Sequence, residues 1–161
     1  MTDDPQIVTH SDPAWRDRTN FIVRLDLGPY GLPGRYEQCW TRTEDKRLFE
    51  MCCIPFFTYG ISLGDVLEVN QETGAHSINS KSGRRTIRVG FQNDEDAHRE
   101  HDQLHDALVG TLGCQTEFHG PHYAAIDLAD DQQAFAVIDV LTRLHEAGSV
   151  IWEWADPTLP S

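Results

Sequence analysis

The chain has 161 residues, of which 39% are hydrophobic, and carries 13 Lys and Arg against 26 Asp and Glu, a formal net charge of −13 at pH 7. This length allows one ordinary domain or two small ones with a packed core. A strongly acidic surface repels nucleic acid and anionic membranes, so neither is expected as a partner. The sequence has no apolar run of about 18 residues and no secretory signal, so we expect a cytoplasmic protein.

The acidic charge is concentrated in the C-terminal half. Residues 1–90 hold 11 basic and 12 acidic side chains, a net charge of −1, whereas residues 91–161 hold 2 and 14, a net charge of −12. An acidic half attracts basic partners and accelerates their association. It can equally serve solubility alone, and both interpretations remain open.

The N-terminal region is predicted to consist of a loose arm and a small β-rich unit. Residues 1–18 are polar, contain Asp and Pro, and show no periodicity, which is typical of an arm. Phe21, Val23, Leu25 and Leu27 then follow the two-residue period of a half-buried strand. Further strands are predicted at RYEQCWTR, RLFEMCC, DVLEVN and AHSIN. Five short strands without a helical pattern indicate a β-barrel-like unit over residues 19–83.

From Arg84 onward strands alternate with helices. RRTIRVGF, CQTEFHG, HYAAIDLA and VIWEWA are predicted strands, and the first is followed by a helix that ends near Gly113. Asp130 and Gln133 indicate the capped start of a second helix, which ends at Gly148. The order β-α-β-β-α-β predicts a ferredoxin-like unit over residues 84–155, followed by a tail, 156–161. The expected fold class is α+β.

Two segments carry a family resemblance. The residues concerned lie in CCIPFFTYGISLGDVLEV and KSGRRTIRV: Ile54, Pro55, Phe56, Phe57, Tyr59, Gly60, Leu63, Gly64, Asp65, Val66, Ser82, Gly83, Arg84, Arg85 and Arg88. Through them the chain resembles a bacterial family catalogued as domain of unknown function 4265, over about Phe21 to Trp154. That family has no activity attached to it, so the resemblance implies an architecture and no catalytic residues.

The same two segments offer a possible small-molecule site. Phe56, Phe57 and Tyr59 lie on a loop between Pro55 and Gly60, where they can either plug the end of the first unit or form a binding surface. The following basic residues can either pair with the acidic half or bind an anion. The alternative ligand-binding residues are therefore Phe56, Phe57, Tyr59, Arg84, Arg85 and Arg88, with Trp152 and Trp154 nearby.

Motifs for catalysis and metal binding are weak. His98, His101 and His105 share one face of the first helix and could offer imidazoles to zinc, but they border Leu104 and Leu108 and form no H-E-x-x-H motif. No nucleophile elbow, phosphate loop or dinucleotide-binding motif occurs, and the four cysteines are interpreted as reduced structural thiols. We therefore expect neither a resident metal nor another cofactor, and a non-enzymatic protein is favoured over an enzyme.

Two functions remain. The first is an acidic binding protein, an immunity protein or antitoxin that neutralises a basic toxic effector. Its partner-binding residues are predicted on the two helices: Glu95, Asp96, Glu100, Asp102, Asp106, Asp130, Asp131 and Asp139. The second is a small-molecule-binding regulatory or enzymatic module of the ferredoxin-like type.

Overall fold

The structure is a computed structural model that describes residues 6–92 and 97–155. The protein is of the α+β class, with mostly strands and two α-helices. The strands are β1 Gln6–Val8, β2 Phe21–Asp26, β3 Arg35–Arg42, β4 Leu48–Met51, β5 Val66–Val69, β6 His76–Ser80, β7 Arg85–Phe91, β8 Thr116–Phe118, β9 Tyr123–Leu128 and β10 Val150–Trp154, and the helices are α1 Ala97–His105 and α2 Asp131–Glu146.

The first sheet is organised around β3. Strand β2 pairs antiparallel with one edge of β3, while β1 and β4 pair with the other, β1 in the parallel direction. The sheet continues through β5 to β6. Within the described residues it does not close into a barrel, so the expectation of a barrel-like unit is wrong. The five strands were predicted correctly, but sequence periodicity does not say whether the two edge strands of a sheet meet.

The predicted loose arm differs from the structure over residues 6–18. Gln6, Ile7 and Val8 pair with residues 35–37 of β3, and the N–H of Trp15 donates to the carbonyl of Cys52 at 2.9 Å. His10 is buried between the two sheets. Val8 and Ala14 also pack against the cluster of Ile54, Phe56 and Ala125. Backbone pairing, one buried polar side chain and two separated apolar contacts leave no apolar periodicity in the sequence.

The second sheet has the strand order β10-β7-β9-β8, and all neighbours are antiparallel. One face packs against both helices, where Ile87 and Val89 meet Leu104 of α1 and Val137 of α2. The opposite face of β9 is also buried, because Ala125 contacts Ile54 and Phe56 of the first unit. Because both faces of β9 are covered, its sequence is an almost unbroken run of apolar residues.

Both helices end, and the second also begins, where the sequence predicted, whereas the predicted start of the first lies outside the described residues. The first continues beyond α1 as a π-helical segment, Asp106–Thr111, and the chain turns at Gly113 with a φ of +70°. At the start of α2 the Asp130 carboxylate accepts a hydrogen bond from the N–H of Gln133 at 2.8 Å, as expected for an N-cap. Among the described residues, no helix has the length and apolar character needed to cross a membrane.

Candidate functional site

A buried polar centre joins the two sheets at His10. Its Nε2 atom lies 2.7 Å from Oε2 of Glu37 in β3, and its Nδ1 atom lies 2.7 Å from Oε1 of Glu117 in β8. An imidazole that faces a carboxylate at each nitrogen donates at both, so it is protonated. Burial alone lowers the pKa of His10, but Cys53, Glu117 and Glu37 outweigh burial and raise this pKa well above its ordinary value.

Glu37 organises the loop that follows β4. Its carboxylate accepts hydrogen bonds from the N–H groups of Phe56 at 2.6 Å and of Phe57 and Thr58 at 3.0 Å, and from the Thr58 hydroxyl at 2.7 Å. Burial alone raises the pKa of Glu37, but the bonds from His10, Phe56 and Thr58 outweigh it and lower the pKa to about 2. Glu37 is therefore ionised at any physiological pH.

The loop from Ile54 to Thr58 is tied to both sheets. Glu117 of the second sheet accepts a bond from the N–H of Ile54, while Glu37 of the first holds the next three residues after Pro55. The Phe56 ring stacks on His10 with ring centroids 4.2 Å apart and planes only 3° from parallel. The loop thus lies between the two units, with Phe56 buried.

The buried centre also contains metal-ligand types. Ligand atoms of His10, Cys39 and Cys53 lie within 4.8 Å of one another, and imidazole and thiolate are zinc ligands. A metal needs a free nitrogen lone pair and deprotonated thiols. Both nitrogens of His10 instead face carboxylates. Burial raises the pKa of Cys39 well above its ordinary value, although Cys39 and His10 outweigh burial at Cys53 and lower the pKa of that thiol. The residues therefore fit a buried hydrogen-bond network better than a metal centre.

Arg88 is a second unusual buried group. It is the largest of the fully buried side chains, only 1% exposed, and lies on the face of β7 that points away from the helices. Its Nη2 atom donates to the Thr58 carbonyl, and the Tyr59 ring centroid lies 4.6 Å from its Cζ atom. Its Nε and Nη1 atoms have no hydrogen-bond partner among the described residues. Unpaired buried donors are costly and require an explanation.

A pocket of about 280 Å³ opens beside Arg88. Its floor is Gly90, which stands in register between Tyr123 of β9 and Ile151 of β10. Trp152 and Glu153 complete the lining: Arg88, Gly90, Tyr123, Ile151, Trp152 and Glu153. Glu153 is directly opposite Arg88 across the strand pair, but its carboxylate accepts the hydrogen bond of the Tyr59 hydroxyl. The pocket therefore combines apolar walls with one buried cation and one exposed carboxylate.

The other predicted ligand residues are engaged within the protein. Arg84 forms an ion pair with the buried carboxylate of Asp127, with its Nε atom 3.0 Å from both oxygens. The guanidinium of Arg85 lies 3.8 Å from the ring centroid of Trp154. Phe57 stacks on Tyr123 with centroids 5.3 Å apart. The structure therefore places Arg88 in the pocket lining and Tyr59 against Arg88, whereas Arg84 and Arg85 contact other residues.

The predicted partner-binding carboxylates are distributed over both helical segments. Asp102 and Asp106 are exposed on the first, and Asp130, Asp131 and Asp139 are exposed at the start and along the length of α2. Asp130 is occupied as the N-cap, and Asp139 pairs with Arg143 one helical turn away. Glu95 and Asp96 lie outside the described residues, and so does the side chain of Glu100.

The exposed face of α2 also carries an aromatic ring. Phe135 is 72% exposed, more than any other large hydrophobic side chain that the structure describes. Asp131 and Asp139 stand four residues before and after it, so all three share one side of the helix. The inward face of α2 is formed by Ala134, Val137 and Leu141, so Phe135 is not part of the core.

Only one of the three helix histidines can be placed. The His105 side chain is half exposed, 3.8 Å from the Asp106 carboxylate, and its ring lies near that of Phe118. The side chains of His98 and His101 lie outside the described residues. The alternative of a metal site at His98, His101 and His105 is therefore not tested by the structure.

Comparison with known families confirms the family resemblance seen in the sequence. A family model described as domain of unknown function (DUF4265) matches residues 37–153, which span most of the chain. The chain belongs to the DUF4265 family. The match runs from Glu37 to Glu153, so it includes the carboxylates of the buried centre and the whole lining of the Arg88 pocket, while His10 precedes it.

One solved structure has a similar fold. It is a hypothetical protein from Neisseria gonorrhoeae, 18% identical to this DUF4265 chain, with a TM-score of 0.64. The alignment covers 86% of this chain and 94% of that one. At this identity the similarity concerns the fold alone. No curated protein matches the chain.

Sequence reasoning missed His10, Glu37 and Glu117. Glu37 stands two residues before Cys39 in β3, so it occupies a core-facing position of an alternating strand. A carboxylate at such a position is rarely tolerated without a partner, and this was the available signal. His10 gave no signal, because it lies in a polar segment without periodicity.

Proposed function

We propose that the protein is a non-enzymatic, cytoplasmic binding protein of the immunity or antitoxin type, which neutralises a basic effector protein. The observation that supports this function most is the exposed Phe135, flanked by Asp131 and Asp139 on the outer face of α2. Interface hot spots combine an aromatic anchor with a polar surround. A solvent-exposed phenylalanine on a helix that already has a complete inward face has no role in the core.

The surrounding charge supports a basic partner. Residues 91–161 carry a net charge of −12, and Asp102, Asp106, Asp131 and Asp139 are exposed on the helical side of the second sheet. A surface of one sign accelerates encounter with a partner of the opposite sign, and the rate falls as salt rises. Fast association suits an inhibitor that must act before its target does damage.

The experiment is co-expression with the basic proteins encoded beside the gene, followed by size-exclusion chromatography at low and high salt. We expect a stoichiometric complex that weakens as salt rises and is lost in the Phe135→Ala variant. The matched control is Ile78→Ala, an exposed hydrophobic residue of β6, which should leave the complex intact. A complex that survives Phe135→Ala would contradict this binding face.

We propose a ferredoxin-like arrangement for residues 84–155. The chain order β7-α1-β8-β9-α2-β10, the antiparallel pairing of all four strands and the packing of both helices on one face support it. The helices then present their outer faces, with the exposed carboxylates and Phe135, on the side opposite the first sheet.

A small-molecule-binding module is the second candidate function. One observation favours it: Arg88 lines a pocket and has two buried nitrogens without a hydrogen-bond partner among the described residues. Of the residues predicted for this alternative, Arg88 lines that pocket together with Tyr123 and Ile151, and Tyr59 packs against Arg88. The two candidates use opposite faces of the second sheet and can be tested separately.

A further inference from the structure

We propose that the pocket beside Arg88 binds a free α-amino acid. The ligand carboxylate would bind Arg88, its ammonium group would bind Glu153, and its side chain would lie over Gly90 between Tyr123 and Ile151. This inference supplies a ligand class for the second candidate function and is independent of the protein-binding proposal.

Arg88 needs a hydrogen-bond acceptor that the protein does not supply among the described residues. Two of its nitrogens are buried without a hydrogen-bond partner, and the guanidinium is always charged. A carboxylate is the acceptor that matches a guanidinium best, because two N–H groups can bond its two oxygens in parallel. A ligand carboxylate that bonded Nη1 and the second N–H of Nη2 in parallel would satisfy one of the two nitrogens that the described residues leave unpaired, because Nε and Nη1 lie on different edges of the guanidinium.

Glu153, opposite Arg88 on the neighbouring strand, provides a negative charge beside the pocket. Glu153 pairs in register with Arg88, so the two side chains leave neighbouring strands on the same face of the sheet. Arg88 is buried and Glu153 is exposed, which places the positive charge at the floor and the negative charge at the rim. A ligand with a carboxylate and an ammonium group on one carbon presents both complementary charges close together.

The overall charge selects a zwitterion over an anion. A protein with a net charge of −13 repels a free carboxylate ligand, whereas a zwitterion carries no net charge. An anion at Arg88 would also face Glu153 without compensation, because Glu153 takes its present hydrogen bond from the neutral Tyr59 hydroxyl. An ammonium group would replace that hydroxyl and remove the repulsion.

Gly90 leaves the room for the ligand side chain. Its φ is not in the left-handed region, so the backbone conformation does not require glycine here. A Cβ at this position would come within 3.3 Å of Cγ1 of Ile151 and would occupy the groove between Ile151 and Tyr123. The volume of about 280 Å³ lies at the small end of ligand pockets, in keeping with a ligand of amino-acid size.

Tyr59 contacts both charged residues of the pocket. Its ring lies over the Arg88 guanidinium, and its hydroxyl donates to Glu153, so the one side chain contacts both charged groups. An entering amino acid would take over both contacts, and Tyr59 would move aside.

The test is isothermal titration calorimetry of the full chain with the proteinogenic amino acids, up to about 10 mM each. We expect at least one apolar amino acid, with L-leucine as the first probe, to bind with 1:1 stoichiometry. 3-Methylbutylamine, which lacks the carboxylate, and 4-methylpentanoate, which lacks the ammonium group, should bind at least tenfold more weakly. Equal binding of 4-methylpentanoate would overturn the zwitterion assignment and leave the small-molecule function standing.

Variants then locate the ligand. Arg88→Lys keeps the charge and loses the two-pronged geometry, and Ile151→Trp fills the groove from a position that is already 53% exposed. Each should weaken binding at least tenfold, whereas Ile78→Trp, at an exposed site of the first sheet, should not change it. Unchanged binding in Arg88→Lys and Ile151→Trp, or no saturable binding of any amino acid by the wild-type chain, would overturn the proposal. Neither result by itself removes the small-molecule candidate, which other ligand classes would still test.

Discussion

The Nε2 atom of His10 lies 2.7 Å from Oε2 of Glu37, and both side chains are fully buried. The other ring nitrogen of His10 is equally close to Glu117, so one imidazolium links carboxylates from the two sheets. Glu37 also holds the backbone of the loop that carries Phe56 and Tyr59. The buried centre therefore determines where the loop lies, and with it the position of the Tyr59 ring over Arg88.

The first prediction concerns Glu37. Glu37→Gln should lower the free energy of unfolding by roughly 3–5 kcal/mol near neutral pH, because it breaks a buried charged pair and places an amide donor against backbone donors. The folded pKa of Glu37 is about 2, below its ordinary 4.5. A depressed carboxyl pKa stabilises the fold above the unfolded value and loses this effect as pH falls through the folded value. The difference from wild type should therefore shrink between about pH 4.5 and pH 2.

Urea unfolding of the two proteins across that pH range measures this difference. His10 gives the opposite pH dependence, because its pKa is raised above 6.5 in the folded protein. Its contribution to the free energy of unfolding is complete below pH 6.5 and is lost as pH rises through the raised value. The control is Glu44→Gln, at an exposed carboxylate, which should change stability by less than about 0.5 kcal/mol. A Glu37→Gln deficit that stays constant down to pH 2 would refute this account of the centre.

A second prediction tests the packing of the β5–β6 turn on β2. Gly74 has a φ of +79°, and a Cβ there would meet the Asp26 nitrogen at 2.8 Å and the Arg24 carbonyl oxygen at 2.9 Å. Gly74→Ala should cost roughly 3 kcal/mol, from both the left-handed conformation and the backbone clash. Gly34→Ala is the matched control, because its φ is +77° but its surroundings are open, and it should cost only about 1 kcal/mol. Equal losses in thermal stability would show that the turn does not contact β2.

A third prediction separates structural from functional arginines. Arg84→Met should destabilise the protein by roughly 3 kcal/mol, because it leaves the buried carboxylate of Asp127 without its partner. Arg88→Met should change the free energy of unfolding by less than about 1 kcal/mol, because it removes two unpaired buried donors together with one hydrogen bond. Chemical denaturation of the two variants compares them directly. If Arg88→Met proved as costly as Arg84→Met, Arg88 would be a structural residue.

A fourth prediction concerns Phe135. Phe135→Ala should leave the free energy of unfolding within about 0.5 kcal/mol of wild type, because the side chain is 72% exposed. The same change should cost a partner complex roughly 2 kcal/mol or more, as expected for an aromatic hot spot. Thermal unfolding measures the effect on stability, and calorimetry on the same preparation measures the effect on affinity for the partner. A large loss of stability would mean that the ring packs within the protein.

The sequence was sufficient for the local structure. Alternation, or a short apolar run for β9, located all of the longer strands, and Asp130 and Gly113 marked helix boundaries that the structure has. The prediction of a barrel-like unit over residues 19–83 was wrong. The residue pattern predicts where strands occur, but it does not predict whether the two edge strands of the sheet pair with each other. Strand β1 was missed because three residues that pair in parallel with β3 leave no recognisable pattern.

The candidate sites were only partly predictable. Arg88 and Tyr59 were selected from the sequence, but the roles of Gly90 and Glu153 depend on cross-strand register, which a single sequence does not give. Phe135 was not recognised, because one apolar residue on the outer face of an amphipathic helix does not disturb the helical period. His10 and Glu117 meet only after the two sheets pack together.

The most direct test of the proposed function is the affinity for the neighbouring-gene product that co-purifies with the chain, measured by calorimetry at low and high salt. The double variant Asp131→Lys, Asp139→Lys should weaken binding at least tenfold and reduce its salt dependence, whereas Glu44→Lys in the first half should do neither. An affinity and salt dependence that the double variant leaves unchanged would contradict a charge-steered interface on α2.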